Sequence, residues 1–553
     1  MTEKKQSNPL DPIPILIFLV AAAVSCGVAS SYLSRFQKAD QKVIRRVWMT
    51  QTMVWVHWPD PKGKKQYELD LFEYEYPGQL KKVVFRLKLV IAGFFAPLFG
   101  LWGVIQYLKG KKFKARTLRG AELGGAGKLN RANKDQDRGH GDWQRLRVGK
   151  VKIPIRKEIL HTLLVGSTGT GKSTLLYHWL ATLRKRGQRA IILDPSGEFA
   201  QRFYREGDLI LNPNDARFPG WSIFNEMRQA SDADRLGKSV VPDVEGEGRE
   251  WNHYAQDLVT GLLTSLYAKH EPSQGRFVEL LTRAPKKDLE RYLYGQPGQA
   301  MMDEGAEKML GSVRAIIGTY ARPFDRMEEG PFSIRNWVRD DGSSWLFIPF
   351  QDSELQSLKP LLAAWLDIAI SEVLSLPSSE DRRVWFFLDE ISAIGKVQGL
   401  MDLLTRARKQ GGAAVVGLQS IAQFKATYGD KNAQSLQSCL TTNIILRCAD
   451  AETAEAMSLQ LGTREIVRIN QSGDTKAPAQ KSEQVTDSRL VMASELQTLK
   501  FLHGFIQISG PGPVVKIKVP FYKGPKDESA GSQPRIDTTE RRGRRRSWED
   551  SPC

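Results

Sequence analysis

Cysteine is scarce in this chain of 553 residues: Cys26, Cys439, Cys448 and Cys553 stand far apart, with no Cys-x-x-Cys pair and no histidine at metal-ligand spacing. That scarcity excludes a disulfide framework and the common zinc sites, and it fits a reducing cytosol. Acid is short as well, with 62 Asp and Glu against 80 Lys and Arg and a formal charge of +18. Such a balance favours an anionic partner, nucleic acid or anionic lipid, without choosing between them. No internal repeat is evident, which sets aside repeat architectures.

Charge is missing altogether from two runs near the N-terminus, Ile13–Leu33 and Leu89–Leu108. Each is long enough to cross a bilayer as a helix, and each is flanked by Lys and Arg. The first, preceded by Lys4 and Lys5, also has the make-up of a signal peptide, and that alternative stays open. Basic residues stand on both sides of the second run, so the positive-inside rule alone does not orient it. The denser cluster, Lys109, Lys111, Lys112, Lys114, Arg116 and Arg119, has no intervening acid, and this side is assigned to the cytosol. Residues 1–116 are thus expected to form a membrane anchor, with spans near 13–33 and 89–108 and a small periplasmic segment between them. Residues 117–147, rich in Gly, Asn, Asp and Arg, read as a linker.

Beyond the linker, apolar β-prone runs alternate with helical patterns: HTLLV, AIILD, SWLFIPF, VWFFLDE, AAVVGLQS, NIILR, GFIQIS and VVKIKV. This predicts an α/β fold around a largely parallel sheet, over residues 148–225 and 333–522. Strand signals lapse between 226 and 332, where apolar residues fall at helical spacing, so an all-helical insertion is expected there. Residues 523–553, with RRGRRRSWED, lack a core-forming pattern and read as a basic disordered tail.

The segment Gly166, Ser167, Thr168, Gly169, Thr170, Gly171, Lys172, Ser173 and Thr174 matches G-x-x-x-x-G-K-[ST]. Glycines let backbone N–H groups converge on phosphate oxygens, Lys172 puts a cation on the outer phosphates, and Ser173 offers a hydroxyl to Mg²⁺. An apolar run precedes the segment and a helical pattern follows it, the order a nucleotide site needs. In VWFFLDE, a buried strand ends in Asp389 and Glu390. Asp389 would hold the Mg²⁺ shell and Glu390 would orient or deprotonate the attacking water. Gln419 ends another strand and, in a parallel sheet, would emerge at the same edge to sense the γ-phosphate. Arg408, in TRARKQGG, is a candidate arginine finger delivered across a subunit interface, although most arginines in such a helix are only solvated.

With these elements in order, the sequence resembles the type IV coupling proteins of bacterial conjugation, membrane-anchored RecA-like DNA translocases of the additional-strand P-loop ATPase family. The resemblance rests on the two N-terminal runs, GSTGTGKST, IILDPSGEF, LNPNDARFPGWSIFNE, FFLDEISAI, ARKQGGAAVVGLQS and LQLGTRE. It implies a RecA-like nucleotide-binding domain with an all-helical insertion, preceded by two transmembrane helices in the bacterial inner membrane, with the motor cytoplasmic. ATP and Mg²⁺ are the implied cofactors. A ring of six subunits, single-stranded DNA carried by a relaxase and a type IV secretion channel are the implied partners. Carried over, Glu390, Arg408 and Gln419 take catalytic roles, while Ser173 and Asp389 hold the metal. A coupling ATPase that exports effector proteins and a chromosome-segregation DNA translocase share the same motor and remain alternatives. No LSGGQ-like signature lies between the motifs, which disfavours an ABC transporter.

Overall fold

The computed structural model describes residues 116–134, 141–244, 246, 248–325, 327–472 and 480–524, with isolated residues between 41 and 77. The chain divides into two units, Met1–Arg116 and Thr117–Cys553, and the fold described below is that of the second. The expected membrane spans and periplasmic segment lie outside the described residues, as do residues 525–553 of the tail. Among the described residues, no helix is long and apolar enough to cross a membrane.

Fifteen strands are described. They begin with β1 (Arg116–Gly120), β2 (Leu123–Gly124), β3 (Arg147–Val148), β4 (Val151–Lys152) and β5 (Thr162–Val165). Then come β6 (Arg189–Pro195), β7 (Leu209–Ile210), β8 (Leu346–Phe350), β9 (Val384–Leu388) and β10 (Gly412–Leu418). The last are β11 (Thr442–Ile445), β12 (Thr463–Ser472), β13 (Gln480–Arg489), β14 (His503–Gln507) and β15 (Val514–Lys518). Ten of them form the main sheet, in the order β2-β15-β14-β11-β5-β10-β9-β6-β8-β7. From β11 to β7 every pair is parallel, whereas β14 and β15 extend the sheet antiparallel. Each of the eight runs read as strands from the sequence forms one.

Alternation along a strand divides its side chains between two cores. Val384, Phe386 and Leu388 of β9 join one apolar cluster, and Trp385 and Phe387 join the other. The first cluster also takes in the helical insertion, through Leu258, Leu262, Phe277, Val313 and Ile317. Between β7 and β8 the described residues hold no strand, and the insertion's helices run from Asp232–Val240 to Ile334–Arg339. The helical stretch therefore continues past the expected limit at 332. Its last helix is started by Ser333, whose hydroxyl accepts from the Asn336 amide, and by the buried Glu226, which accepts from the Ile334 and Arg335 amides. Glu372, on the long helix Asp352–Leu374, accepts from Arg228 at 2.9 Å and Arg335 at 2.7 Å and ties the insertion to the sheet domain.

Of the segment expected as a linker, 117–147, the described residues 117–134 and 141–147 are instead part of the domain. β2 pairs with β15, Glu122 accepts from the Val514 amide at 2.8 Å, and the helix Ala126–Ala132 buries Leu129 completely. Its order comes from backbone pairing with an edge strand and one deeply buried leucine, neither of which leaves a periodic apolar signal.

Candidate nucleotide-binding site

The phosphate loop begins where β5 ends. All four residues of that strand are buried, and the loop leads into the helix Lys172–Arg186, whose N-cap is Gly171. Gly169 and Gly171 have φ of 71° and 107°, values that favour glycine. At Gly171 a Cβ would also meet Leu502 Cδ2 at 2.4 Å, and at Gly166 it would meet Thr170 Oγ1 at 2.7 Å. The loop is tied to its neighbours through its backbone: the Gly166 amide donates to Leu418 O at 3.1 Å and the Ser167 amide to Arg447 O at 2.9 Å. Ser167 Oγ accepts from the Ala449 amide at 2.7 Å. The free N–H groups of the first helical turn, with the helix dipole behind them, make this an anion-binding cradle.

Around the loop the structure collects Lys172, Asp389, Glu390 and Gln419. In a parallel sheet every strand delivers its C-terminal residue to the same edge, and β10 lies between β5 and β9. Lys172 Nζ is 3.8 Å from Glu390 Oε2 and donates to Leu418 O at 3.5 Å. Thr168 Oγ1 donates to Gln419 Oε1 at 3.0 Å. Glu390 has φ of 60°, unusual for a residue with a side chain, and caps the short helix Ile391–Ile394. Asp389 Oδ1 is buried and receives no hydrogen bond from the described residues. Burial raises the Asp389 carboxyl above its ordinary range, partly opposed by the Lys172 ammonium. Burial raises Glu390 too, opposed by Lys172 and reinforced by the Asp389 charge. A glycine cradle beside a buried Asp389 oxygen without a donor among the described residues is a set suited to a phosphate chain with a divalent cation.

Arg408 is not in this group. It lies in the short helix Ala407–Gln410 ahead of β10, at the opposite edge of the sheet, and lines a cleft of about 820 Å³ with Arg156, Arg383, Lys409, Glu380 and Trp143. Its charge is felt by His161, just before β5, whose imidazole is pushed down to about 4 by burial, with the Arg408 charge adding to that effect. The seven residues of β10 separate Arg408 from its own chain's phosphate loop, a strand length of roughly 20 Å.

Some residues at the site were not singled out from the sequence. Asp194 closes β6 at the same edge, accepts from the Phe199 and Ala200 amides at 3.1 and 2.8 Å, and is nevertheless pushed up to about 7 by burial. Its place in IILDPSGEF, an acid ending an apolar strand, is the same signal that marked Asp389. Gly417 is another: a Cβ there would meet Asp389 Oδ1 at 2.7 Å, so the glycine lets the carboxylate sit against β10. Leu502, against Gly171, could not be found from sequence because the contact joins distant segments.

Comparison with known proteins follows the same outline. Residues 145–520 match the family model of the type IV secretion-system coupling protein DNA-binding domain. Coupling protein TraD of Escherichia coli (strain K12) is 30% identical over 414 residues, which is 72% of this chain and 56% of TraD. The chain thus spans little more than half of that relative. The bacterial conjugative coupling protein TrwBdeltaN70, in an unbound monoclinic form, superposes with a TM-score of 0.69 and 34% identity, covering 76% of this chain and 96% of the other. The plasmid coupling protein TrwB in complex with ADP and Mg²⁺ does so with a TM-score of 0.68 and 34% identity, covering 75% and 96%. With the match running through phosphate loop, helical insertion and antiparallel edge alike, the chain belongs to the type IV secretion-system coupling proteins.

Proposed function

We propose that this protein is an ATP-driven motor of the bacterial inner membrane that moves DNA, delivered with a relaxase, into a type IV secretion channel. The observation that carries the reading is the gathering of Lys172, Asp389, Glu390 and Gln419 at one sheet edge, from segments far apart in sequence, around a glycine cradle. The ADP and Mg²⁺ held by TrwB support the same cofactors here. Bound ATP would supply the reactive phosphoanhydride, and Mg²⁺ the charge that neutralises it.

The chain's own residues do the rest. The amides from Thr168 to Lys172 hold the outer phosphates, and Lys172 adds its ammonium. Ser173 and Asp389 hold the cation. Glu390 accepts a proton from the attacking water, a role served by a carboxyl that burial raises and the Lys172 ammonium opposes. Gln419, fixed by Thr168, reports whether the γ-phosphate is present. Arg408 faces away from its own loop and serves the loop of an adjoining subunit, as in a ring of six copies anchored by two N-terminal helices.

The test is ATP hydrolysis by the full chain with and without single-stranded DNA. DNA should raise the rate, and Lys172→Ala should abolish both turnover and transfer in a mating assay. A rate indifferent to DNA would move the assignment to export of protein cargo.

A further inference from the structure

The antiparallel strands that extend the sheet bring a second feature to the phosphate edge. β14 begins and β15 ends there, since His503 pairs with Lys518. Immediately outside that pair stand Phe501 and Phe521, 49% and 68% exposed, with ring centroids 5.7 Å apart and planes inclined by 57°. Two large aromatic rings left in water beside each other are costly unless something covers them.

Their backbone is fixed to the phosphate loop. The Leu502 amide donates to Thr170 O at 3.2 Å, the Val519 amide donates to Leu502 O at 2.8 Å, and Leu502 Cδ2 lies too close to Gly171 to leave room for a Cβ there. Leu502 itself is held at φ of 61°, a conformation a leucine adopts only when its surroundings impose it. On the other side of Phe521, Pro520 O and His178 Nε2 are 3.0 Å apart, and the Tyr522 ring packs against His178 and Tyr177 with centroids at 5.1 and 5.6 Å. Both neighbours of Phe521 are thus tied to the phosphate-loop helix, and its own ring is left outside.

From these contacts we infer that Phe501 and Phe521 form the subsite for the purine base of the nucleotide whose phosphates the loop holds. The inference rests on the nucleotide-binding reading given above. A base stacked on aromatic faces is recognised by its π-surface, which all purines share, and not by its hydrogen-bonding edge. The site should therefore discriminate little between ATP and GTP.

The experiment measures binding of ATP, GTP and inorganic tripolyphosphate to the full chain. The parent should bind both nucleotides more tightly than tripolyphosphate. Phe521→Ala and Phe501→Ala should each weaken ATP and GTP about tenfold, leave tripolyphosphate binding in place, and so erase most of the advantage of carrying a base. Phe501→Tyr and Phe521→Trp, which keep a ring, should restore it. Nucleotide affinities unaffected by the alanine variants would overturn the inference while leaving the phosphate site standing. Equal losses for ATP and tripolyphosphate would overturn it too, since the phenylalanines would then support only the loop. A parent that binds none of the three would overturn the nucleotide reading itself.

Discussion

The two edges of the main sheet are chemically opposite. At the edge where the parallel strands end stand a glycine cradle, the acids Asp194, Asp389 and Glu390, and Lys172 as a cation close to Asp389 and Glu390. At the edge where they begin, Arg156, Arg186, Arg383, Arg408 and Lys409 line a single cleft. The first edge can bind a nucleotide and activate water. The second can neutralise charge, and a strand length of about 20 Å keeps it from doing so for its own chain. Under the function proposed above, the two edges are two halves of a site that two copies would complete.

The largest test of that comparison is Arg408→Ala, which should cut ATP turnover by about 10⁴-fold, within the range for a transition-state arginine, while ATP still binds. Mixing it with Lys172→Ala subunits should restore part of the rate. At a mixed interface, an intact Lys172 of one copy meets an intact Arg408 of the next. If no mixture recovers activity, the opposite-edge arrangement has no catalytic meaning. Next comes Glu390→Gln, expected to lower turnover about 10³-fold with nucleotide affinity preserved, because a carboxamide cannot accept the proton of water.

A pH profile sharpens the acidic half. Burial raises the Glu390 carboxyl above its usual value of 4.5, so turnover should fall as pH drops through a point higher than that. Gln419 contributes a hydrogen bond that favours the ionised form, so Gln419→Ala should move the acid limb of the kcat profile to still higher pH. A limb that stays in place would separate Gln419 from the carboxylate. The smallest expected effect is that of Thr168→Ala. It removes one exposed hydrogen bond to Gln419 and should cost about threefold in turnover, in line with the modest net worth of such bonds.

Much of the first edge was legible beforehand. Asp389, Glu390 and Gln419 each follow an apolar run, and in a parallel sheet the end of a strand has only one edge to reach. The second edge was not legible: TRARKQGG shows an arginine near a glycine, and nothing local says which way it faces. The start of the segment read as a linker misled because β2 is held there by pairing with β15, not by an apolar pattern of its own.

By itself the sequence determined the elements and the phosphate chemistry, since strand periodicity, glycine spacing and an acid closing a buried run are local properties. The tertiary structure alone decided which groups share an edge: Gly417 giving room to Asp389, Arg408 placed at the edge opposite its own loop, and Phe501 beside Phe521 next to the leucine that packs on Gly171. These depend on strand order and direction, which are set by contacts between segments distant in the chain.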